Sequence, residues 1–129
     1  MATDHPNILL ITSDQHRGDC LGSAGHSCIR TPHLDRLSYA GVRFPNAYSN
    51  CPVCVPARTA IITGRDARSN GCPSYRDSYR VDRPRESFLG SVITAAGYQT
   101  CLLGKTHWHT PISFRAGFET LIGTEQLWR

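Results

Sequence analysis

Asn7-Ile8-Leu9-Leu10-Ile11-Thr12-Ser13, with Asp14-Gln15 directly behind it, is the stretch on which the fold turns. A continuous apolar run of this length, ended by polar residues, reads as a strand buried on both faces of a parallel sheet. A polar, Gly-bearing loop follows from Asp14 to about Arg30. Thr31-Pro32 then offers an N-cap with proline at the first helical position, Leu34 and Leu37 share a face, and Gly41 is the stop. Val42 to Tyr48 is expected as a second strand. Cys51 to Pro56 is a turn-rich loop, Pro56 starts a helix over Ala57 to Thr63, and Gly64 ends it. Residues 65 to 85 are polar and show no periodicity. Ser87 is the expected cap of a helix whose apolar stripe is Phe88, Leu89, Val92, Ile93 and Ala96, closed by Gly97. Tyr98 to Leu103 reads as a third strand.

Strands alternating with helices imply an α/β sheet, with ligand groups at the carboxyl ends of the strands. Asp14-Gln15 closes the first strand, Cys54 to Arg58 opens a helix after the second, and Lys105 to His109 follows the third. All three places are expected at the same sheet edge. The 129 residues suffice for one compact domain, and 40% apolar with 19% charged residues is ordinary for a globular chain. The formal charge of +4 is dispersed, and Asp77 and Asp82 interrupt the basic stretch from Arg76 to Arg85. That argues for a solvated loop and against a nucleic-acid partner. No apolar run approaches the roughly 18 residues that span a bilayer, and the opening residues lack a basic n-region. The expectation is a cytoplasmic protein with no membrane partner.

Four motifs stand in order along the chain. They are Ser13-Asp14-Gln15, the run Thr31-Pro32-His33-Leu34-Asp35-Arg36-Leu37 leading into Gly41-Val42-Arg43-Phe44, the segment Cys54-Val55-Pro56-Ala57-Arg58 with Thr63-Gly64 behind it, and Gly104-Lys105-Thr106-His107. Together they resemble the sulfatase family, whose signature is Cys-x-Pro-x-Arg followed by Thr-Gly. The resemblance runs from about Asn7 to Phe118. It implies the N-terminal part of an alkaline phosphatase-like, mostly parallel sheet flanked by helices. Residues 1–129 are then expected to be the N-terminal portion of a single catalytic domain, with the remainder absent.

The resemblance also implies the chemistry. Cys54 is the residue that a formylglycine-generating enzyme oxidises to formylglycine, with Pro56 and Arg58 needed for its recognition. A thiolate attacking sulfur would leave a stable thiosulfate ester, whereas a hydrated aldehyde has one hydroxyl to attack and another to expel sulfate. Arg58 would steady the aldehyde hydrate, and the start of the following helix favours an anion. Asp14 and Gln15, with Cys54, are implied as the metal site, and hard oxygens at a strand end suit Ca²⁺, with Mg²⁺ as the other choice. Many relatives carry a second Asp where this chain has Gln15, whose amide brings an oxygen but no charge. Lys105 would hold the sulfate group, and His107 would contact the formylglycine and assist proton transfer. The implied substrate is a small-molecule or saccharide sulfate ester. A phosphonate monoester or phosphodiester is the alternative, since that activity shares the Asp-Gln start and the nucleophile motif. A non-catalytic fragment is a third reading, because the family's downstream metal ligands are not in these residues.

The remaining residues have plainer readings. Cys51-Pro52-Val53-Cys54 has zinc or redox spacing, but Cys20, Cys28 and Cys72 make no second pair spaced for zinc, and a redox site leaves Pro56, Arg58 and Thr63-Gly64 unexplained. Cys20, Cys28, Cys72 and Cys101 are expected as small buried hydrophobes. His16, His26 and His109 lie near the motifs and suit pocket, surface or hydrogen-bonding roles alike. Trp108 and Trp128 are expected as packing residues.

Overall fold

The computed structural model describes residues 5–76, 88–107 and 115–123. They fall into two compact units, Met1–Ala47 and Tyr48–Arg129.

In the first unit a short 3-10 turn, Gly22–Ala24, precedes helix α1, Pro32–Ala40. Pro32 and Gly41 mark its ends as the sequence implies. Thr31 does not cap the helix in the usual way. Its hydroxyl accepts a bond from the Gly22 N–H (2.8 Å) and donates to Asp35 Oδ1 (2.8 Å). The same oxygen of Asp35 accepts the Ser23 N–H at 2.7 Å. A Cβ at Gly22 would crowd the Asp35 carboxylate, which would have to shift. Hydrogen bonds of Thr31 and Asp35 thus fasten the 3-10 turn to the helix start, where an acidic residue also suits the macrodipole.

The strands expected over 7–13 and 42–48 are not formed. Ile8 to Ile11 are 62–83% exposed, and Val42 and Phe44 are 79% and 75% exposed. The reason is physical. A helix closes its own backbone hydrogen bonds, but a strand needs a neighbour, and no backbone ladder among the described residues reaches these segments. Leu34 and Leu37, which share a face, are also exposed.

The second unit contains the core. Helix α2 spans Cys54–Thr63, starting earlier than the expected Ala57. Pro56 is compatible with that start, because the first-turn N–H groups of a helix have no partner within it. Gly64, in the left-handed region at φ 64°, ends the helix. Val55 and Ile62 of α2 cluster with Cys72, Phe88 and Ala116, and Leu89, Leu102 and Phe118 pack around them. The polar stretch after α2 is ordered by side chains. Asp66 accepts bonds from the Arg68 and Ser69 N–H groups and the Ser69 hydroxyl. Buried Asn70 donates to the Arg65 carbonyl and accepts from the Cys72 N–H.

Helix α3 covers Leu89–Ala95 behind an extended Phe88; Ser87, the expected cap, lies outside the described residues. Its apolar stripe is narrower than expected, because Val92 and Ala96 are exposed while Phe88 is buried. Gly90 is the close-contact point: a Cβ there would sit 2.5 Å from the Ala116 carbonyl oxygen. Strand β1, Cys101–Gly104, lies within the expected third strand apart from Gly104, and pairs in parallel with β2, Thr120–Gly123, which the pattern did not announce. The register places Cys101 opposite Thr120 and Gly104 opposite Gly123. Thr100 fixes it: its N–H donates to Glu119 Oε2 (2.8 Å), its hydroxyl oxygen accepts the Glu119 N–H (3.0 Å), and its carbonyl accepts the Thr120 N–H (3.1 Å).

Candidate active site

Cys54 occupies the first position of α2, partly buried beside the core. Val53 before it is extended, and among the described residues no side chain caps the helix start. The backbone N–H groups of that first turn therefore present partial positive charge next to the cysteine, a setting that favours an anion. Arg58 lies one turn further along the same face. Its Nη1 donates to the Lys105 carbonyl oxygen at 2.6 Å, across 47 positions of sequence. That bond brings the end of β1 to the helix that carries Cys54.

The segment leaving β1 is conformationally unusual. Gly104 has φ 97°, and His107 has φ 56°. The left-handed region is uncommon for a residue with a Cβ and persists only where the surroundings impose it. His107 is partly buried, and its ring meets that of Tyr75 edge-on, with centroids 5.4 Å apart and planes at 70°. The second unit thus gathers Arg58, Lys105 and His107, with Cys54 one turn from Arg58.

Asp14 and Gln15 belong to the first unit, immediately after the apolar run, and both are exposed. Gln15 shares with His107 a left-handed backbone, φ 56°. A carboxylate and an amide carbonyl are hard oxygen donors of the kind Ca²⁺ and Mg²⁺ take. Two such groups fill only part of the six to eight places around Ca²⁺. They fit such a cation in kind but not in number. Among the described residues no three His, Cys, Asp or Glu side chains gather as a metal cluster.

Several expectations about other residues change. Cys72 is fully buried, but Cys28 and Cys101 are exposed and Cys20 is intermediate, so the cysteines are not uniformly core residues. Cys101 points outward because alternate residues of β1 do. All six are free thiols, and the Cys51 thiol donates to the Pro73 carbonyl at 3.5 Å. His16 bonds the Cys20 carbonyl, and His26 Nδ1 accepts the N–H groups of Cys28 and Ile29, so both shape the first unit's loop. Trp108, His109 and Trp128 lie outside the described residues. Tyr75 went unremarked in the sequence; an aromatic within a polar stretch downstream of Cys54 is the signal that could have found it.

A parallel strand pair with flanking helices makes this an α/β chain, and the solved structures that superpose on it give the alkaline phosphatase-like type. The chain belongs to the sulfatase family, whose profile matches residues 6–127. It is 43% identical over 102 residues to an arylsulfatase of Clostridium perfringens, covering 79% of this chain and 21% of that protein. A solved protein in complex with its substrate D-glucosamine-2-N,6-O-disulfate superposes with TM-score 0.79 at 31% identity, over 90% of this chain and 22% of the other. The phosphonate monoester hydrolase of Agrobacterium radiobacter superposes with TM-score 0.77 at 26% identity, over 92% and 26%. The chain spans about a fifth of the length of the curated relatives it matches.

Proposed function

We propose that the protein carrying this chain is a sulfuric ester hydrolase, with Cys54, converted to formylglycine, as its nucleophile. The observation that carries this reading is the 2.6 Å bond from Arg58 to the Lys105 carbonyl, which ties the Cys-x-Pro-x-Arg helix to the Gly-Lys-x-His segment. Sulfatase names among the relatives support it. Once formed, the hydrated aldehyde would supply one hydroxyl to attack sulfur and a second to release sulfate.

The chain's own residues have separable tasks. Arg58 steadies the modified side chain while its Nη1 holds the Lys105 backbone. The Lys105 ammonium binds the sulfate oxygens as a point charge. His107 moves a proton at the modified Cys54 side chain. The start of α2 stabilises negative charge there. Asp14 and Gln15 are the residues that would supply oxygens to Ca²⁺ or Mg²⁺, and such a cation would offer charge neutralisation of a bound ester. The substrate class is a sulfate ester of a small molecule or saccharide, and maturation requires a formylglycine-generating enzyme.

Phosphonate monoester hydrolysis is the second reading, favoured by the superposition on the Agrobacterium enzyme. Parallel assays of the complete, matured protein on an aryl sulfate and an aryl phosphonate separate the two. The sulfatase reading expects the higher kcat/KM on the sulfate. Turnover of the phosphonate alone overturns it in favour of the second, and turnover of neither ester overturns both.

A further inference from the structure

We propose that Tyr75 is a positioning residue for His107, holding its imidazole by an edge-on ring contact; this deepens the sulfatase reading above and rests on it. Tyr75 belongs to the stretch 65–85, which reads in sequence as polar and without periodicity. The structure gives its near end firm anchors. Cys72, three residues earlier, is fully buried, and its N–H donates to the Ala67 carbonyl (3.0 Å) and to Asn70 Oδ1 (2.9 Å). The Thr59 hydroxyl of α2 also reaches Cys72 Sγ at 4.0 Å. Tyr75 is thus placed with reference to the same helix that carries Cys54.

The backbone and the ring of the His107 segment are held by different groups. Arg58 Nη1 grips the backbone at Lys105, two residues before His107. Tyr75 meets the imidazole itself, with centroids 5.4 Å apart and planes at 70°, the edge-to-face arrangement that aromatic quadrupoles favour. His107 carries a left-handed backbone, a state that needs restraint from its surroundings. Tyr75 is 51% exposed, too open for burial to account for an aromatic at this position. The ring, not the phenol hydroxyl, does the positioning, so phenylalanine should serve equally well.

The test uses the complete protein with three substitutions, Tyr75→Phe, Tyr75→Ala and Tyr75→Leu. Histidine-labelled NMR on the unconverted Cys54 form reads the His107 ring directly, with His107→Gln to assign its signals. Aryl sulfate kinetics on the matured form read the consequence. Tyr75→Ala and Tyr75→Leu should shift the His107 ring resonances and lower kcat about tenfold at unchanged KM, while Tyr75→Phe stays within about twofold of wild type. Tyr75→Leu keeps the bulk, so it decides the matter if the alanine variant does not fold. Unmoved His107 resonances in Tyr75→Leu overturn the proposal, as does a Tyr75→Phe variant as impaired as Tyr75→Leu. A wild-type protein that hydrolyses no sulfate ester overturns the sulfatase reading instead, and the NMR comparison still decides the contact.

Discussion

The two units are held together by different forces. In Tyr48–Arg129 a cluster of Val55, Ile62, Cys72, Phe88 and Ala116 excludes water, and polar groups such as Asn70 and Thr100 are paired around it. In Met1–Ala47 no described residue is buried, and the 3-10 turn and α1 are fastened by Thr31 and Asp35. Residues 54 to 72 bring three of the five cluster residues together through one helix and the loop that folds back on it, so little long-range order is needed. Ile8 to Ile11, Val42 and Phe44 of the first unit sit in segments that read as strands, and strands bury nothing until a neighbour is beside them.

The largest effect should come from cutting the cluster and comparing the result with an equal cut in the first unit. Ile62→Ala should destabilise the fold by about 2–5 kcal/mol, while Leu37→Ala should stay within about 0.5 kcal/mol. Denaturant unfolding of both variants gives the difference, and equal losses would break the comparison. Next in size is Arg58→Ala. It leaves the Lys105 carbonyl without a charged donor and should cost about 1.5–3 kcal/mol, with Arg58→Lys failing to restore the loss. Wild-type stability in Arg58→Ala would show that the α2–β1 link is incidental.

What the sequence made legible follows the same division. Pro32, Gly41 and Gly64 marked helix ends correctly because helix signals are local. Cys101 to Leu103 fell within the predicted third strand, and the structure pairs them. Ile8 to Ile11 and Val42 to Tyr48 carry strand patterns, but the pattern cannot supply the partner that turns it into a ladder. β2 was missed because Thr120-Leu121-Ile122-Gly123 is too short and mixed to show a period. In the candidate site, Cys54, Arg58, Lys105 and His107 were legible as motifs. The Arg58–Lys105 bond and the Tyr75–His107 contact were not, since both join positions far apart in the chain.

The smallest effect concerns pH in the first unit. Burial pushes the Asp35 carboxyl up, but bonds from the Thr31 hydroxyl and the Ser23 N–H outweigh it and hold the group below the usual carboxylate range. A depressed carboxylate contributes stability that is present above its unfolded value, about pH 4, and is lost as pH falls through its folded value. Protection of the Gly22 and Ser23 amides against exchange should therefore fall on acidification below that point. In Asp35→Ala that protection should already be lost at neutral pH. Identical protection in both proteins at every pH would remove Asp35 from the account of how this unit is held.

The central claim is that Cys54, and no other cysteine, becomes the nucleophile. Mass spectrometry of the tryptic peptide Phe44–Arg58, from protein co-expressed with a formylglycine-generating enzyme, tests it most directly. The peptide contains both Cys51 and Cys54, so fragmentation must locate the change. The account predicts that Cys54 exchanges its thiol for an aldehyde while Cys51 keeps its sulfur, and that Cys54→Ala gives an unmodified peptide and no ester hydrolysis. An intact thiol at Cys54 in protein that nevertheless hydrolyses an aryl sulfate, or conversion at Cys51, would contradict it.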